Sequence, residues 1–281
     1  MAALEVISSE PMAGGEQQYL RHFSDETGTQ MTFSAFLPPQ AKDGPVPVLF
    51  WLSGLTCTAE NFTVKAEAQQ HAADHGVLLV APDTSPREAG IAGEEDSWDL
   101  GTGAGFYLDA TEMPWIMNYR MYSYVTEELP RLVGEELPAD MSRQGIAGHS
   151  MGGHGALMVA LRHPGRFRSV SAFAPIVAPS EVPWGQKAFT AYLGEDRAAW
   201  AEWDSCALIA QATERLPLLV DQGEADEYLV EQLRPELLEA ACASAGHPLE
   251  LRRHPGHGHG YDFIKTLIGD HIRHHADAMR G

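Results

Sequence analysis

The segment that most constrains how this chain folds is a glycine-rich stretch around Ser150. Residues 148–152 read GHSMG, a G-x-S-x-G pattern that holds a serine on a sharp turn between a strand and a helix. Glycines flank such a serine because the turn strains the backbone and brings chain segments too close for a Cβ. A short apolar run precedes the pattern, and apolar residues at helical spacing follow it. This context favours a nucleophile-bearing turn over a turn whose serine only caps a helix.

Composition excludes several classes of protein. The chain has 281 residues, of which 44% are hydrophobic, enough for a substantial core, and we expect one domain over residues 1–281. No apolar run approaches the ~20 residues of a membrane span, and no secretory signal is visible at the N-terminus, so no membrane association is expected. The net charge of −20, from 19 basic and 39 acidic residues, argues against nucleic acid as a partner.

The three cysteines, Cys57, Cys206 and Cys242, form neither a disulfide framework nor a zinc set. This usage predicts a cytoplasmic protein. The pair His257-x-His259 has no companion ligand motif, so no metal site is expected. The sequence does not decide the oligomeric state, and a homodimer is one of the options.

Apolar patterning predicts strands that alternate with helices. Residues 17–24 and 29–37 read as a hairpin, because apolar and polar residues alternate in its second arm. Apolar runs predict buried strands over 48–52 (with Pro45 and Pro47 before the paired part), 77–81, 169–174, 216–220 and 249–253. Helices are expected over 59–75, 119–136 with a bend near Pro130, 228–245 and from Tyr261 onward. The pattern predicts an α/β fold with a mostly parallel central sheet and helices on both faces.

Two segments interrupt this alternation. Periodicity fades over residues 85–115, where glycine, aspartate and aromatic residues dominate, and again around Pro183, Trp184 and Gly185. Both read as excursions from the sheet, and long ordered loops of this kind tend to be functional.

A complete hydrolytic set follows three predicted strand ends. Ser150 follows one strand, the acidic segment 221–226 another, and the histidine segment 254–260 the last. Serine, then acid, then histidine is the chain order of α/β-hydrolases. A hydroxyl needs a base to become a good nucleophile, and a carboxylate fixes the tautomer of that base. The residues alone leave Asp221, Glu224 and Asp226 open as the acid, and His257 and His259 as the base.

The chain resembles the esterase D family of S-formylglutathione hydrolases over nearly its full length. The matching stretches are 52–57 (LSGLTC), 96–107 (DSWDLGTGAGFY), 122–130 (YSYVTEELP), 148–155 (GHSMGGHG), 183–189 (PWGQKAF) and 221–223 (DQG). The resemblance implies an α/β-hydrolase fold and hydrolysis of S-formylglutathione, a small-molecule thioester, to formate and glutathione without a cofactor.

Site residues follow from the same resemblance. It implies that Ser150 is the nucleophile, Asp226 the acid and His259 the base. Where the family usually has Asp-His-Ser-Tyr, this chain has Gly258-His259-Gly260-Tyr261, and the two added glycines should loosen the loop.

An oxyanion hole needs two backbone N–H groups. The first is expected from Met151, directly after the nucleophile, and the second from Leu55, where the resemblance points. The resemblance also implies that Cys57, in the same loop, is a thiol that lies beside the acyl site without acting as a nucleophile. The simpler alternative is that Cys57 is only a small buried hydrophobic residue. Trp98, Tyr107 and Trp184 are candidates to line the substrate pocket, against plain core packing.

Two other functions remain to be distinguished. A general carboxylesterase of the same fold would act on short acyl esters. A non-catalytic binding protein would have lost a triad member, and none is lost here. An active-serine probe separates a catalyst from a binder.

Overall fold

The computed structural model describes residues 4–280, in which nine strands form one sheet. The strands are β1 (Glu5–Met12), β2 (Gly15–Phe23), β3 (Gln30–Leu37), β4 (Val46–Leu52), β5 (Leu78–Pro82), β6 (Ala139–His149), β7 (Phe167–Phe173), β8 (Leu218–Gly223) and β9 (Leu249–His254). Their spatial order is β1-β2-β3-β5-β4-β6-β7-β8-β9. Strand β1 pairs with β2, β2 with β3, and β3 with β5, all antiparallel. The remaining neighbours, from β5 and β4 through β6, β7 and β8 to β9, are parallel.

Helices cover both faces of this sheet. They are α1 (Ala59–Lys65), α2 (Gln69–His75), α3 (Met121–Ser123), α4 (Leu129–Glu136), α5 (Met151–Arg162), α6 (Pro183–Leu193), α7 (Arg197–Trp200), α8 (Ser205–Gln211), α9 (Pro235–Ala245) and α10 (Tyr261–Met279). Tyr124–Glu128 and Leu229–Leu233 are π-helical, and short 3-10 turns occupy Pro39–Lys42, Trp115–Met117, Pro179–Glu181 and Ala201–Trp203.

Alternation along the central strand explains the two layers of core. In β4, Val48 and Phe50 point into the core shared with α4, α5, α6, α8 and α9, whereas Leu49 and Trp51 point into the core shared with α1, α2 and α10. Successive side chains of a strand face opposite sides, so a continuously apolar strand must be covered twice. The predicted α/β architecture, with its mostly parallel sheet and helices on both faces, is confirmed.

Several predicted boundaries are wrong, each for a local reason. The helix expected over 59–75 breaks where Glu67 has a φ of 54°, and the one expected over 228–245 breaks at Arg234, whose φ is 51°. Pro47 lies within β4, at a register irregularity that accommodates it. Where a bend was expected near Pro130, a π-helical segment ends at Glu128, two residues before that proline, which has no backbone N–H to donate.

Two elements differ in kind from the prediction. The excursion expected around Trp184 is instead α6, with Pro183 in its first turn, a position that suits proline. Strand β1 was missed because all eight of its residues are exposed, so no buried face imposes alternation on the sequence.

Candidate active site

Ser150 lies on the turn between β6 and α5, at the carboxyl end of a central strand. Its backbone has φ 58° and ψ −119°, the strained geometry that its sequence context predicted. A Cβ on Gly148 would lie 2.1 Å from the carbonyl oxygen of Gly152, and one on Gly152 would lie 2.0 Å from that of Leu52. Both positions therefore require glycine, and the turn holds the serine hydroxyl at a fixed point.

His259 bridges Ser150 and Asp226. Its Nε2 lies 2.9 Å from the Oγ of Ser150, and its Nδ1 lies 2.7 Å from the Oδ2 of Asp226. The Asp226 carboxylate is buried and also accepts hydrogen bonds from the backbone N–H of Tyr228 (2.9 Å) and the Gln222 amide (3.4 Å). In this arrangement Nδ1 carries the proton given to Asp226, which leaves Nε2 free to accept the serine proton.

Backbone contacts join the loop that carries Asp226 to the loop that carries His259. The N–H of Glu224 donates to the carbonyl of His254, and that of Ala225 donates to the carbonyl of His257, both at 3.0 Å. A Cβ on Gly223 would lie 2.3 Å from the His257 oxygen, so only glycine allows this approach. The two loops are thereby set in register with each other.

The competing residues are engaged elsewhere. Asp221 is fully buried and binds Arg252, His254 and His271. Burial raises the pKa of Asp221, but hydrogen bonds from those three side chains outweigh burial and leave the pKa below its ordinary range. The His257 ring packs 5.2 Å from Phe263, and Glu224 is exposed. Asp226 and His259 are therefore the pair that the structure brings to Ser150.

The loop after β4 carries Leu55 and is held in place by hydrogen bonds with the 84–107 segment. The Tyr107 hydroxyl donates to the Ser53 carbonyl at 2.8 Å, and the Thr56 N–H donates to the Gly103 carbonyl at 2.9 Å. The Thr84 hydroxyl and the Arg87 guanidinium donate to the Cys57 carbonyl. Leu55 lines the same cavity as Ser150, and Met151 follows Ser150 directly as the first residue of α5.

Thr56 in this loop has a φ of 67°, an unfavourable backbone angle for a β-branched residue. Such strain costs on the order of 1–3 kcal/mol and persists only when the surroundings enforce it. Gly103 is the neighbour that holds Thr56, because its carbonyl accepts the Thr56 N–H and only a glycine allows this approach, since a Cβ there would lie 2.9 Å from the Thr56 Cα.

A cavity of about 170 Å³ opens over Ser150. Its lining residues are Gly54, Leu55, Thr56, Cys57, Trp98, His149, Ser150, Trp184, Tyr228 and His259. Of the candidates from sequence, Cys57, Trp98 and Trp184 line it. Tyr107 does not: it is fully buried beneath the Ser53 carbonyl, so its assignment as a pocket residue was wrong.

Sequence reasoning missed four lining residues, of which Tyr228 and His149 bring aromatic rings to the cavity and Gly54 and Thr56 belong to the loop after β4. The Tyr228 ring stands edge-on to His259 with centroids 5.0 Å apart, two positions after Asp226. His149 precedes Ser150, and its ring centroid lies 4.5 Å from that of His259. Position along the chain could have identified both residues, because Tyr228 follows Asp226 by two positions and His149 directly precedes Ser150.

Burial sets the protonation of the neighbouring groups. Burial, followed by repulsion from His259, holds the pKa of His149 well below its ordinary value. Burial also raises the pKa of the Cys57 thiol. Both side chains are therefore neutral near pH 7, so Cys57 is a weak nucleophile beside Ser150 and His149 places no charge against His259.

Within residues 4–280, no group of three or more His, Cys, Asp or Glu side chains is arranged to hold a metal ion. No helix in the same range is long and apolar enough to cross a membrane. The arrangement at Ser150 joins a hydroxyl, an imidazole and a buried carboxylate in one hydrogen-bonded series, the groups that acyl transfer uses.

Comparison with known proteins gives a consistent result. Residues 24–274 match the Esterase family model. The chain is 53% identical over 276 residues to the S-formylglutathione hydrolase of Mus musculus, with 98% of each chain covered. It is 52% identical over 276 residues to that of Bos taurus, again with 98% of each covered. The solved S-formylglutathione hydrolase from Agrobacterium tumefaciens is 49% identical, with a TM-score of 0.95 over 98% of this chain and 99% of that chain.

Proposed function

This chain belongs to the S-formylglutathione hydrolase family of esterases and has its α/β-hydrolase fold, and from that premise we propose that it hydrolyses S-formylglutathione to formate and glutathione. The observation that carries the proposal is the contact of His259 with both Ser150, at 2.9 Å, and Asp226, at 2.7 Å. A nucleophile, a base and an orienting acid in this geometry perform acyl transfer on unrelated folds.

In the acylation step, Nε2 of His259 accepts the proton of Ser150 as Oγ attacks the formyl carbon. A C–O bond forms, and the carbonyl electron pair moves to the oxygen. The backbone N–H groups of Leu55 and Met151 stabilise that negative charge. As the carbonyl re-forms, the C–S bond breaks, and the His259 imidazolium gives its proton to the departing glutathione sulfur.

Deacylation repeats the sequence with water. His259 takes a proton from a water molecule, whose oxygen attacks the formyl carbon of the Ser150 ester. The tetrahedral intermediate then expels Oγ, which recovers the proton from His259, and formate leaves. Asp226 stabilises the imidazolium in both halves of the cycle without itself becoming protonated. The neutral state of His149, enforced by burial, spares that imidazolium a repulsive neighbour.

A thioester suits this site because its leaving group is weakly basic. A thiol has a pKa near 8.5, so a thiolate departs with less help from a proton donor than an amine requires. The whole-molecule charge of −20 does not attract anionic glutathione, so local contacts at the cavity must hold it.

We also place the enzyme in the cytoplasm, because its three cysteines are all free. Microscopy of a fluorescent fusion in the native host tests this placement, and an extracytoplasmic signal would contradict it.

The decisive experiment compares kcat/KM for S-formylglutathione with kcat/KM for a simple acetate ester, in the wild-type chain and in Ser150→Ala. The wild type should prefer the thioester, and the variant should lose on the order of 10⁴- to 10⁶-fold in kcat for both. The variant should also fail to react with a fluorophosphonate probe. Preference for the acetate ester would favour a general short-chain carboxylesterase, and activity in Ser150→Ala would exclude Ser150 as nucleophile.

A further inference from the structure

The residues that line the cavity differ greatly in exposure. Trp184 and Ser150 are only 8% and 3% exposed, whereas Trp98 is 54% exposed. Trp98 packs edge-on against Trp184, with ring centroids 5.5 Å apart. Trp184 in turn contacts Tyr228 at 4.7 Å, and Tyr228 contacts His259. The aromatic wall therefore runs from the base outward, and Trp98 is its solvent-facing end.

The size of the cavity indicates what this wall contacts. A formyl group has about the volume of one water molecule, roughly 30 Å³, against about 170 Å³ in the cavity. Most of the space is therefore left for the other side of the thioester. The glutathionyl group is larger than the remainder, so it must pass out of the cavity to solvent along the exposed end of the wall.

We infer that Trp98 forms a subsite for the glutathionyl leaving group, and that Lys187 and Asp99 act as positioning residues that hold Trp98 there. This inference rests on the proposed function. It separates Trp98 from Trp184 in role: the buried indole lies beside the reacting carbon, and the exposed indole lies against the peptide portion of the substrate.

The positioning contacts fall on both neighbours of Trp98. Trp98 and Asp99 form the tip of a tight turn closed by a bridge between Ser97 and Leu100. The Lys187 ammonium pairs with the Asp99 carboxylate and donates to the Ser97 hydroxyl at 2.7 Å. That hydroxyl donates in turn to Asp99 at 2.6 Å. One cation thus fixes the residues before and after Trp98.

Helix α6 supplies both parts of this arrangement. Lys187 follows Trp184 by three positions, so the two side chains lie on neighbouring turns of one helix face. The cation that holds the 97–99 turn and the indole against which Trp98 packs therefore share one rigid support. Lys187 and Asp99 should not touch substrate, and their effect should pass entirely through Trp98.

An exposed aromatic side chain binds better when it is already ordered, because ordering a mobile side chain on binding weakens affinity by about 2- to 10-fold. Loss of the Lys187 contact should therefore raise KM for substrates that reach Trp98. It should have little effect on substrates too small to reach it.

Two thioesters with the same acyl group test the inference. S-acetylglutathione reaches beyond the cavity, whereas S-methyl thioacetate fits within it, and hydrolysis of both is followed by loss of thioester absorbance. In Trp98→Ala, the ratio of kcat/KM for S-acetylglutathione to that for S-methyl thioacetate should fall about 10-fold, through KM. Lys187→Met should lower the ratio about 2- to 10-fold, and Lys187→Arg should retain it.

The matched control is Lys265→Met, which removes another exposed lysine from an ion pair, with Glu67, outside the cavity. It should leave both substrates unchanged. Lys187→Met should have no further effect in a Trp98→Ala background, because its action passes through that indole.

Equal losses for both substrates, no change in the ratio, or a persistent Lys187→Met effect in the Trp98→Ala background would each overturn the inference. A wild-type chain that hydrolyses neither thioester would instead contradict the proposed function, so the two failures are distinguishable.

Discussion

Asp226 binds the imidazole of His259, whereas Asp221, which lies within the preceding strand β8, binds His254 and His271. Both carboxylates are buried, and both accept hydrogen bonds from histidine. The two carboxylates differ in location. His259, the partner of Asp226, also contacts Ser150. His254 and His271, the partners of Asp221, belong to β9 and α10 and connect these elements to β8. The two aspartates should therefore fail in different ways when they are altered.

Asp226→Asn should reduce kcat about 10⁴-fold with little change in stability, because the amide favours the wrong tautomer of His259. Asp221→Asn should instead lower the free energy of unfolding by about 3 kcal/mol, since it breaks a buried charged network. Urea unfolding and steady-state kinetics on both variants separate the effects. A crippled but stable Asp221→Asn enzyme, together with an active Asp226→Asn enzyme, would require the acid to be reassigned.

Thiol reagents should inhibit the enzyme through Cys57, by occupying the cavity beside Ser150. Because burial raises the pKa of this thiol, and the thiolate is the reactive form, the rate of inactivation should still be rising above pH 8.5. Cys57→Ser should remain active and become resistant. Inactivation kinetics across pH measure this, with Cys206→Ser as the control. Undiminished sensitivity of Cys57→Ser would mean that another cysteine is responsible.

Thr56→Gly should be more stable than Thr56→Ala by about 1 kcal/mol, the reverse of the ordinary order, because only glycine adopts a positive φ freely. Its kcat should nevertheless be lower than that of the alanine variant, by up to about 10-fold, since a freer backbone lets the Leu55 N–H drift from the developing oxyanion. Melting temperature and kcat are the measurements.

Ala13 provides the control for Thr56, because its φ is 48° in the turn between β1 and β2, away from the cavity. Ala13→Gly should stabilise the chain and leave kcat unchanged. If Thr56→Gly and Thr56→Ala had the same stability and the same kcat, the backbone angle would have no role in holding the loop.

Acid should destabilise the fold through its buried histidines. Burial lowers the pKa of His154 to about 4, and the unfolded chain has an ordinary value near 6.5. Below pH 6.5 the unfolded state therefore binds a proton that the folded state excludes, and stability falls as the pH drops toward 4. Between pH 7 and pH 5 this single group should remove about 2 kcal/mol.

The comparison that isolates His154 is with His154→Gln, which keeps a donor for the Phe106 carbonyl, the partner of Nε2 at 3.1 Å, but does not titrate. Urea unfolding at pH 7 and at pH 5 should show a smaller difference for the variant. The same difference in both proteins would mean that His154 is not the group concerned.

The sequence predicted the sheet and the residues that meet at Ser150 because both are carried by strong local patterns. Apolar runs define the buried strands, and Ser150, the acidic segment 221–226 and the histidine segment 254–260 each follow a predicted strand, so a parallel sheet brings them to one edge. Features without a local pattern were missed. The positive φ angles of Glu67 and Arg234 divide helices that look continuous in sequence, and the burial of Tyr107 depends on a carbonyl 54 positions away.

The turn that carries Ser150 and the loop that carries His259 differ in how their backbones tolerate substitution. A side chain at Gly148 or Gly152 would collide with main-chain oxygens, whereas Gly258 and Gly260 have neither a positive φ nor an atom closer than 3.9 Å to an added Cβ. Substitutions are therefore excluded at the two glycines of the serine turn and tolerated at the two glycines beside His259. Gly260 is also the N-cap residue before α10 and has no side chain to cap the helix, so a serine there would supply a cap. The loop around His259 is where this enzyme can be engineered, or can evolve, toward heat resistance without disturbing the turn at Ser150.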